Sequence, residues 1–308
     1  MKLDFDVVII GCGVAGMSSA IYLKRAGFSC LLVENEAPGG QVLKSSIIEN
    51  YPGIISIQGP DLAFQMYEQI KQMGIPYRYG NVLEIKDFDE YKEVITDIEV
   101  IKCKAVIIAS GRRPKGLSLP LEDKLMNHGI SYCAFCDGTF FKEKDVIVVG
   151  GGNSAIEEAI YLSNICKKVT IVHRNNKFTA DKILIDKLIK KKNVKIKWNK
   201  EIISYLEKDN SLVGVMLKDN ITNKVRKQKA DGVFLFVGHL PNTSFVKDLN
   251  LTDKFGYLLV DEGKRCKIPF IYAAGDVVKK DLFQIVTATS DGAIAASSFI
   301  KDISKQEK

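Results

Sequence analysis

The sequence predicts an α/β protein in which two three-layer (β/β/α) domains share one plan and the second is inserted into the first. Two glycine-rich loops, Gly11-Cys-Gly-Val-Ala-Gly16 and Gly150-Gly-Gly-Asn-Ser-Ala155, each lie between an apolar strand and a helix. The loops stand 139 residues apart and repeat one order of strand, loop, helix and strand. A last apolar strand, from Ile268 to Ala274, has no such loop, so it is expected to return to the first domain.

The first loop follows the strand Phe5 to Ile10 and opens a helix from Met17 to Ala26. The next strand, Ser29 to Val33, ends at an acid that lies 23 residues after the first glycine. Glycines let the backbone approach a pyrophosphate, the helix start offers free N–H groups, and the acid suits a ribose hydroxyl. The pattern predicts a Rossmann-like dinucleotide site formed by Gly11, Gly13, Val14, Ala15, Gly16 and Glu34.

Between the two loops the pattern predicts a helix, a meander and a returning strand. The helix begins at Asp61 and runs from Leu62 to Met73, and the meander spans 80–100. The apolar run from Lys104 to Ser110 returns to the first sheet. Polar, proline-containing segments at 112–117 and 239–243 connect the domains, so the first domain comprises 1–114 with 243–308 and the second 115–242.

The second loop repeats the plan but lacks the acid. A strand from Asp145 to Val149 precedes it, a helix runs from Ala155 to Ser163, and the next strand ends 23 residues after the first glycine at His173-Arg174. Basic residues there suit a 2′-phosphate, so we assign FAD to the first site and NADP(H) to the second. A second meander is expected between 194 and 229. The predicted NADP(H) residues are Gly150, Gly152, Asn153, Ser154, Ala155, His173, Arg174, Lys177 and Gly238.

Between the loops lies Cys133-Ala-Phe-Cys136-Asp137, a spacing typical of a dithiol that cycles with a disulfide. A helix start lowers a thiol pKa, and Asp137 is placed to act as general acid. Half of a zinc site is the alternative, but no second C-x-x-C or spaced His pair accompanies the motif. A redox-active cysteine pair between two dinucleotide sites indicates electron flow from a nicotinamide, through a flavin, to a disulfide. The other five of the seven cysteines are expected to be small buried residues.

Composition is that of a globular protein, with 308 residues, 46% hydrophobic and 26% charged. No apolar run reaches the roughly 18 residues that span a membrane, and the start lacks a signal-peptide pattern, so a cytoplasmic location is expected. The net charge of +7 comes mostly from lysines on expected solvent faces, which argues against a nucleic-acid partner.

Three further motifs accompany the cysteine motif and the second glycine loop: Pro38-Gly-Gly-Gln41, Glu49-Asn-Tyr-Pro-Gly53 and Ala274-Gly-Asp276. Together these motifs resemble one family, the low-molecular-weight, bacterial-type thioredoxin reductases. The resemblance implies a homodimer with one FAD per subunit that reduces thioredoxin with NADPH, and an inserted domain that rotates between half-reactions. It implies that Cys136 is the flavin-side sulfur and that Cys133 attacks thioredoxin. It also adds FAD residues: Gly39, Gly40, Gln41, Asn50, Ala109, Gly111, Gly275, Asp276, Gln284 and Ile285.

The sequence departs from that family at two places. Asn175 and Thr179 stand where the family carries arginines for the 2′-phosphate, and Phe283 stands where an arginine usually precedes Gln284. NADH or reduced ferredoxin therefore stays open as the donor. A non-catalytic flavin-binding protein is a second alternative, although the intact cysteine motif argues against it. Related hydroperoxide reductases carry an additional N-terminal domain, and a ferredoxin–NADP reductase would have no C-x-x-C.

Overall fold

The structure, a computed structural model, describes residues 2–45 and 47–306 and forms two compact units. Unit 1 comprises Met1–Arg113 and Leu240–Lys308, and unit 2 comprises Pro114–His239. The chain leaves unit 1, builds unit 2 and returns, so the prediction that one domain is inserted into the other is confirmed.

The first part of unit 1 is a parallel sheet that continues into an antiparallel meander. Its strands are β1 Phe5–Ile10, β2 Cys30–Glu34, β3 Tyr77–Tyr79, β4 Val82–Asp87, β5 Lys92–Thr96, β6 Val100–Ile108 and, from the end of the chain, β17 Ile271–Ala273. Their order in the sheet is β3-β2-β1-β6-β5-β4, and β17 pairs with β6. The helices are α1 Val14–Arg25, α2 Gly59–Gln72 and α7 Ile285–Gln306. The last meander strand and the returning strand, which were expected to be separate, form one nine-residue strand, β6.

Side-chain alternation along β1 places two hydrophobic clusters on opposite faces of this sheet. Val7 and Ile9 belong to the cluster that includes residues of α1 and α7, such as Phe299. Val8 and Ile10 belong to the cluster with the meander. Because both faces are covered, β1 is apolar throughout, as expected for a strand in the interior of a parallel sheet.

Unit 2 repeats this arrangement with its own parallel sheet and a separate antiparallel sheet. Its strands are β8 Ile130–Ser131, β9 Asp145–Val149, β10 Lys168–His173, β11 Val194–Trp198, β12 Lys200–Lys208, β13 Ser211–Asp219, β14 Val225–Lys229 and β15 Gly232–Leu235. The parallel sheet has the order β11-β10-β9-β15-β8, and the antiparallel sheet consists of β12, β13 and β14. The helices are α3 Glu122–Leu125, α4 Ala134–Asp137, α5 Asn153–Ser163 and α6 Lys182–Leu188. Val146 and Val148 pack toward α5, while Ile147 and Val149 pack toward the antiparallel sheet.

One expectation for unit 2 was wrong. The strand beginning at Val194 was predicted to start the second meander, but β11 pairs in parallel with β10 and forms the edge of the main sheet. The meander consists of 200–229 alone. The run Val194-Lys-Ile-Lys-Trp198 alternates apolar and basic residues, and such a pattern fits a half-exposed parallel edge strand as well as an antiparallel one.

The two connectors form short strands, β7 Arg112–Pro114 and β16 His239–Pro241, that pair with each other in a two-stranded sheet. Each connection between the two units is therefore a single short strand, at the polar, proline-containing segments of the sequence.

Candidate active site

The first glycine loop is packed so tightly that side chains are excluded. A Cβ on Gly11 would lie 2.4 Å from the Ala109 carbonyl oxygen, and one on Gly16 would lie 2.0 Å from the Gly11 carbonyl oxygen. Gly11 also has φ +108°, in the region that favours glycine. Helix α1 begins directly after Gly13 with no side-chain cap, so its first N–H groups face the space in front of the loop. This geometry fits a dinucleotide pyrophosphate.

Glu34 ends β2 beside this loop. Its Oε2 accepts a hydrogen bond from the Cys12 backbone N–H at 2.9 Å, and its Oε1 accepts one from Asn35 N–H at 2.9 Å. Oε1 also accepts a hydrogen bond from the Glu36 N–H at 3.2 Å. The carboxylate is thereby fixed next to the glycines, and Oε2 retains a lone pair for a ribose hydroxyl.

The other predicted FAD residues of unit 1 meet the same loop. The Cα of Gly13 would lie 3.3 Å from a Cβ on Gly40, and the Cβ of Ala15 would lie 2.7 Å from one on Gly275. Gly39 and Gln41 flank Gly40, and Val14 is buried within the adjacent cluster. Three segments far apart in sequence thus converge on the start of α1.

Two hydrogen bonds tie further predicted residues to the site. Asn50 Nδ2 donates to Gln284 Oε1 at 3.0 Å, just before Ile285 begins α7. Gln41 Nε2 donates to the Arg112 carbonyl oxygen at 2.8 Å, directly after Gly111. The predicted residues are therefore held together in unit 1.

Arg112 was not among the predicted site residues, and the structure places it here. Its Nη2 lies 3.1 Å from Asp276 Oδ2, and its guanidinium carbon lies 3.7 Å from the centroid of the Phe283 ring. The sequence held one relevant signal, the departure at Phe283, but nothing in it connected position 283 with position 112.

Within unit 2, the cysteine pair lies at the start of a short helix, as predicted. Cys133 and Cys136 form a disulfide with their Cα atoms 5.3 Å apart. Cys133 is the N-cap of α4, and its sulfur accepts a hydrogen bond from the Cys136 N–H at 3.1 Å. Cys133 is buried whereas Cys136 is exposed.

Asp137 is held beside this pair by Ser131. The Ser131 hydroxyl donates to Asp137 Oδ2 at 2.6 Å and accepts from the Cys133 backbone N–H at 3.0 Å. One serine therefore fixes both the Asp137 carboxylate and the backbone of the first cysteine.

A buried carboxylate, Glu122, anchors the segment that leads into the dithiol. Glu122 accepts hydrogen bonds from the Tyr205 hydroxyl at 2.7 Å, the Tyr132 hydroxyl at 3.2 Å and the Leu117 N–H at 3.0 Å. Burial and the Glu122 charge raise the pKa of Tyr132 to about 12. The tyrosine next to Cys133 thus remains a neutral hydrogen-bond donor.

The second glycine loop is packed as tightly as the first. A Cβ on Gly150 would lie 2.4 Å from the Phe236 carbonyl oxygen, and one on Gly151 would lie 2.4 Å from the His173 ring. His173 itself is buried, its Nε2 lies 3.0 Å from the Lys177 carbonyl oxygen, and burial lowers its pKa. His173 therefore supports the loop as a neutral ring.

The start of α5 adds the remaining predicted NADP(H) residues. Asn153 and Asp181 exchange two hydrogen bonds, at 2.8 and 2.9 Å, and place a carboxylate beside this loop. Arg174 and Lys177 are exposed. Gly152, Ser154 and Ala155 lie at the N-terminus of α5, and Gly238, with φ +116°, follows β15.

Glu158, on α5, has an unusual environment. Its Oε2 is buried and has no hydrogen-bond partner among the described residues. Burial, and secondarily the charge of Glu157, raise the pKa of Glu158 to about 8. This carboxyl group therefore holds its proton at neutral pH.

The five remaining cysteines are all buried thiols. Burial raises the pKa of Cys166 to about 11 and the pKa of the other four to about 12: Cys12, Cys30, Cys103 and Cys266. The described residues include no cluster of His, Cys, Asp or Glu that could hold a metal ion. No helix in the described ranges combines the length and the apolar character needed to cross a bilayer.

Comparison with known proteins identifies the family. The model of the pyridine nucleotide-disulphide oxidoreductase family matches residues 5–292. The chain belongs to this family. Its members are flavoproteins, and the glycine cradle of unit 1 fits the dinucleotide that they hold.

Relatives within this oxidoreductase family cover nearly the whole chain. Thioredoxin reductase from Bacillus subtilis is 44% identical over 294 residues, which cover 96% of this chain and 93% of that protein. The crystal structure of thioredoxin reductase from Lactococcus lactis has a TM-score of 0.96 at 39% identity and covers 98% of this chain and 100% of that one. A ferredoxin-flavin thioredoxin reductase from Clostridium acetobutylicum has a TM-score of 0.54 at 27% identity, with 98% of both chains covered. The expected resemblance and the expected fold are therefore confirmed.

Proposed function

We propose that this chain is a thioredoxin-disulfide reductase that passes electrons from NADPH, through FAD, to the Cys133–Cys136 disulfide and on to thioredoxin. The observation that carries the proposal is that disulfide, which lies at the start of α4 in a chain of the disulphide oxidoreductase family. The thioredoxin reductases among its relatives support thioredoxin as the protein substrate.

In this proposal residues 1–114 with 243–308 bind FAD and residues 115–242 bind NADP(H). Glu34 supports an unmodified ribose in the first site, because a carboxylate accepts from a free 2′-hydroxyl. Arg174 and Lys177 support a 2′-phosphate in the second site. A bound FAD supplies two-electron transfer between a reduced nicotinamide and a disulfide.

The residues of unit 2 then carry the thiol chemistry. Reduction breaks the Cys133–Cys136 bond and adds two electrons and two protons. Asp137, oriented by Ser131, gives a proton to the leaving thiolate. Cys133 attacks the disulfide of thioredoxin to form a mixed disulfide, and Cys136 resolves it, so that thioredoxin leaves as the dithiol and the pair is again a disulfide.

Because Cys133 is buried, its attack on a protein disulfide requires a change in its surroundings. We propose that unit 2 rotates between half-reactions about the connectors β7 and β16, and that the enzyme is a homodimer. An engineered cross-link that immobilises the connectors should abolish turnover but retain FAD. Unchanged turnover of the cross-linked enzyme would refute the proposed rotation, and a monomer mass by light scattering would refute the proposed dimer.

The first test of the function is Cys136→Ser. We expect the variant to retain FAD and lose thioredoxin reduction to background, because no disulfide can form at the site. Cys166→Ser, which replaces a buried thiol of the same unit, is the matched control and should keep full activity. Thioredoxin reduction by the Cys136→Ser variant would overturn the proposal.

The donor is tested separately by anaerobic titration with NADPH and, in parallel, with NADH. Bleaching of the oxidised flavin band near one equivalent of NADPH supports the proposal. A second candidate, NADH or reduced ferredoxin as donor, is favoured by Asn175 and Thr179 in place of arginines and by the nearby Asp181 carboxylate. Bleaching by NADH alone would select the first of these, and reduction only by ferredoxin or dithionite would exclude both nucleotides.

A further inference from the structure

Arg112 has one N–H donor, at Nε, that is buried without an acceptor among the described residues. The side chain is 15% exposed, one nitrogen pairs with Asp276, and the Phe283 ring covers one face of the guanidinium. A buried donor without an acceptor is unfavourable, so this geometry suits an acceptor that is not part of the chain.

The sheet order locates this donor within the FAD site. Glu34 ends β2 and Arg112 follows β6, and these two strands flank β1 on opposite sides. A dinucleotide bound across the end of β1 with its adenosine ribose at Glu34 has its other half on the β6 side. Asp276, which follows β17 beside β6, lies on that same side.

The charges around Arg112 leave one net positive charge. Lys280 lies 3.9 Å from Asp276 and 2.8 Å from Asp291, and Lys264 lies 2.7 Å from Asp291. Three cations therefore face two carboxylates in a half-buried cluster, where screening by water is weak.

We propose that Arg112 binds the flavin half of FAD and holds positive charge against it. The sequence lacks the arginine that usually precedes Gln284 in the family, and the Arg112 guanidinium packs on the phenylalanine that replaces it. A fixed cation favours the state of a bound flavin that holds two additional electrons, so Arg112 raises the midpoint potential of the flavin. This inference rests on the proposed FAD site of unit 1.

The test measures that potential in a Cys133→Ser/Cys136→Ser background, so that only the flavin accepts electrons. Arg112→Gln should reduce the equilibrium constant for flavin reduction about tenfold, which corresponds to about 30 mV for a two-electron couple. Arg112→Lys keeps the charge and should show less than half of this shift. Arg113→Gln is the matched control: it removes an exposed neighbouring arginine and should leave the potential unchanged.

If Arg112→Gln loses FAD during purification while its far-UV circular dichroism is retained and Arg112→Lys keeps FAD, the binding role is supported. Equal potentials and equal FAD affinities for Arg112→Gln and Arg113→Gln would overturn the inference but leave the proposed function intact. A parent protein that contains no FAD would overturn the proposed function itself.

Discussion

Glu158 makes the stability of unit 2 depend on pH in a direction opposite to that of an ordinary carboxylate. Its pKa is about 8 in the folded protein, whereas the ordinary value is 4.5. Between these two values the folded state binds a proton that the unfolded state does not. The contribution of Glu158 is therefore most favourable below pH 4.5 and is lost as the pH rises through the window up to about 8.

The size of this loss follows from the shift. Each pH unit inside the window changes the free energy of unfolding by about 1.4 kcal/mol. From pH 5 to pH 8 the loss amounts to about 3 kcal/mol, since the slope fades near each pKa. This is an upper limit, because an ionised carboxylate can turn toward water. Glu158→Gln has the same shape and no charge, so it should match the wild type at pH 5 and be more stable at pH 8.

Urea unfolding at pH 5, 6, 7 and 8 measures this difference. Trp198, the single tryptophan of the chain, lies in β11 and reports on unit 2. Other titrating groups, His173 included, cancel in the comparison of variant with wild type. Asp186→Asn, an exposed carboxylate of the same unit, is the matched control and should show a constant offset. A Glu158→Gln offset that is likewise constant from pH 5 to 8 would refute the assignment of a protonated, buried carboxyl group.

Two further substitutions test the packing of the sites. Gly16→Val should yield a protein without bound FAD, because a Cβ there would lie 2.0 Å from the Gly11 carbonyl oxygen. Gly80→Ala is the control and should keep FAD, because the nearest neighbour of its Cβ lies at 3.6 Å. A Gly16→Val variant with full FAD content would contradict the tight packing of the glycine loop. Glu122→Ala should lower the free energy of unfolding of unit 2 by about 2 kcal/mol, because the Tyr205 hydroxyl loses its buried acceptor. Tyr205→Phe should cost less in the same urea assay, and an unchanged midpoint for the alanine variant would show that the Glu122 contacts contribute nothing.

The parts of the site that were predictable from the sequence are those formed by local backbone geometry. Gly11, Glu34 and the cysteine motif each occupy a fixed distance from a strand end, so spacing alone located them. The disulfide at the start of α4 needs only four consecutive residues. Apolar runs of sufficient length predicted both copies of the strand, loop, helix and strand order. They also predicted that β17 returns to the first sheet.

The parts that were missed depend on tertiary contacts. Arg112 and Asp276 are 164 positions apart, and their pairing requires β17 to lie beside β6. Glu158 follows another glutamate near a helix start, a pattern typical of a solvent face, and only packing buries its oxygen. The parallel pairing of β11 was missed because side-chain alternation does not distinguish a parallel edge strand from an antiparallel one.

Because five of the seven cysteines are buried, alkylating reagents should react selectively with the other two in the reduced protein. Thiolates react with alkylating reagents and neutral thiols do not, and the five are both inaccessible and held neutral by their raised pKa values. After mild reduction a maleimide should therefore modify the native chain within the Cys133–Cys136 pair, first at the exposed Cys136, and all seven cysteines only after unfolding. A fluorophore or spin label can thus be attached at the redox centre of the natural sequence without removing a single cysteine.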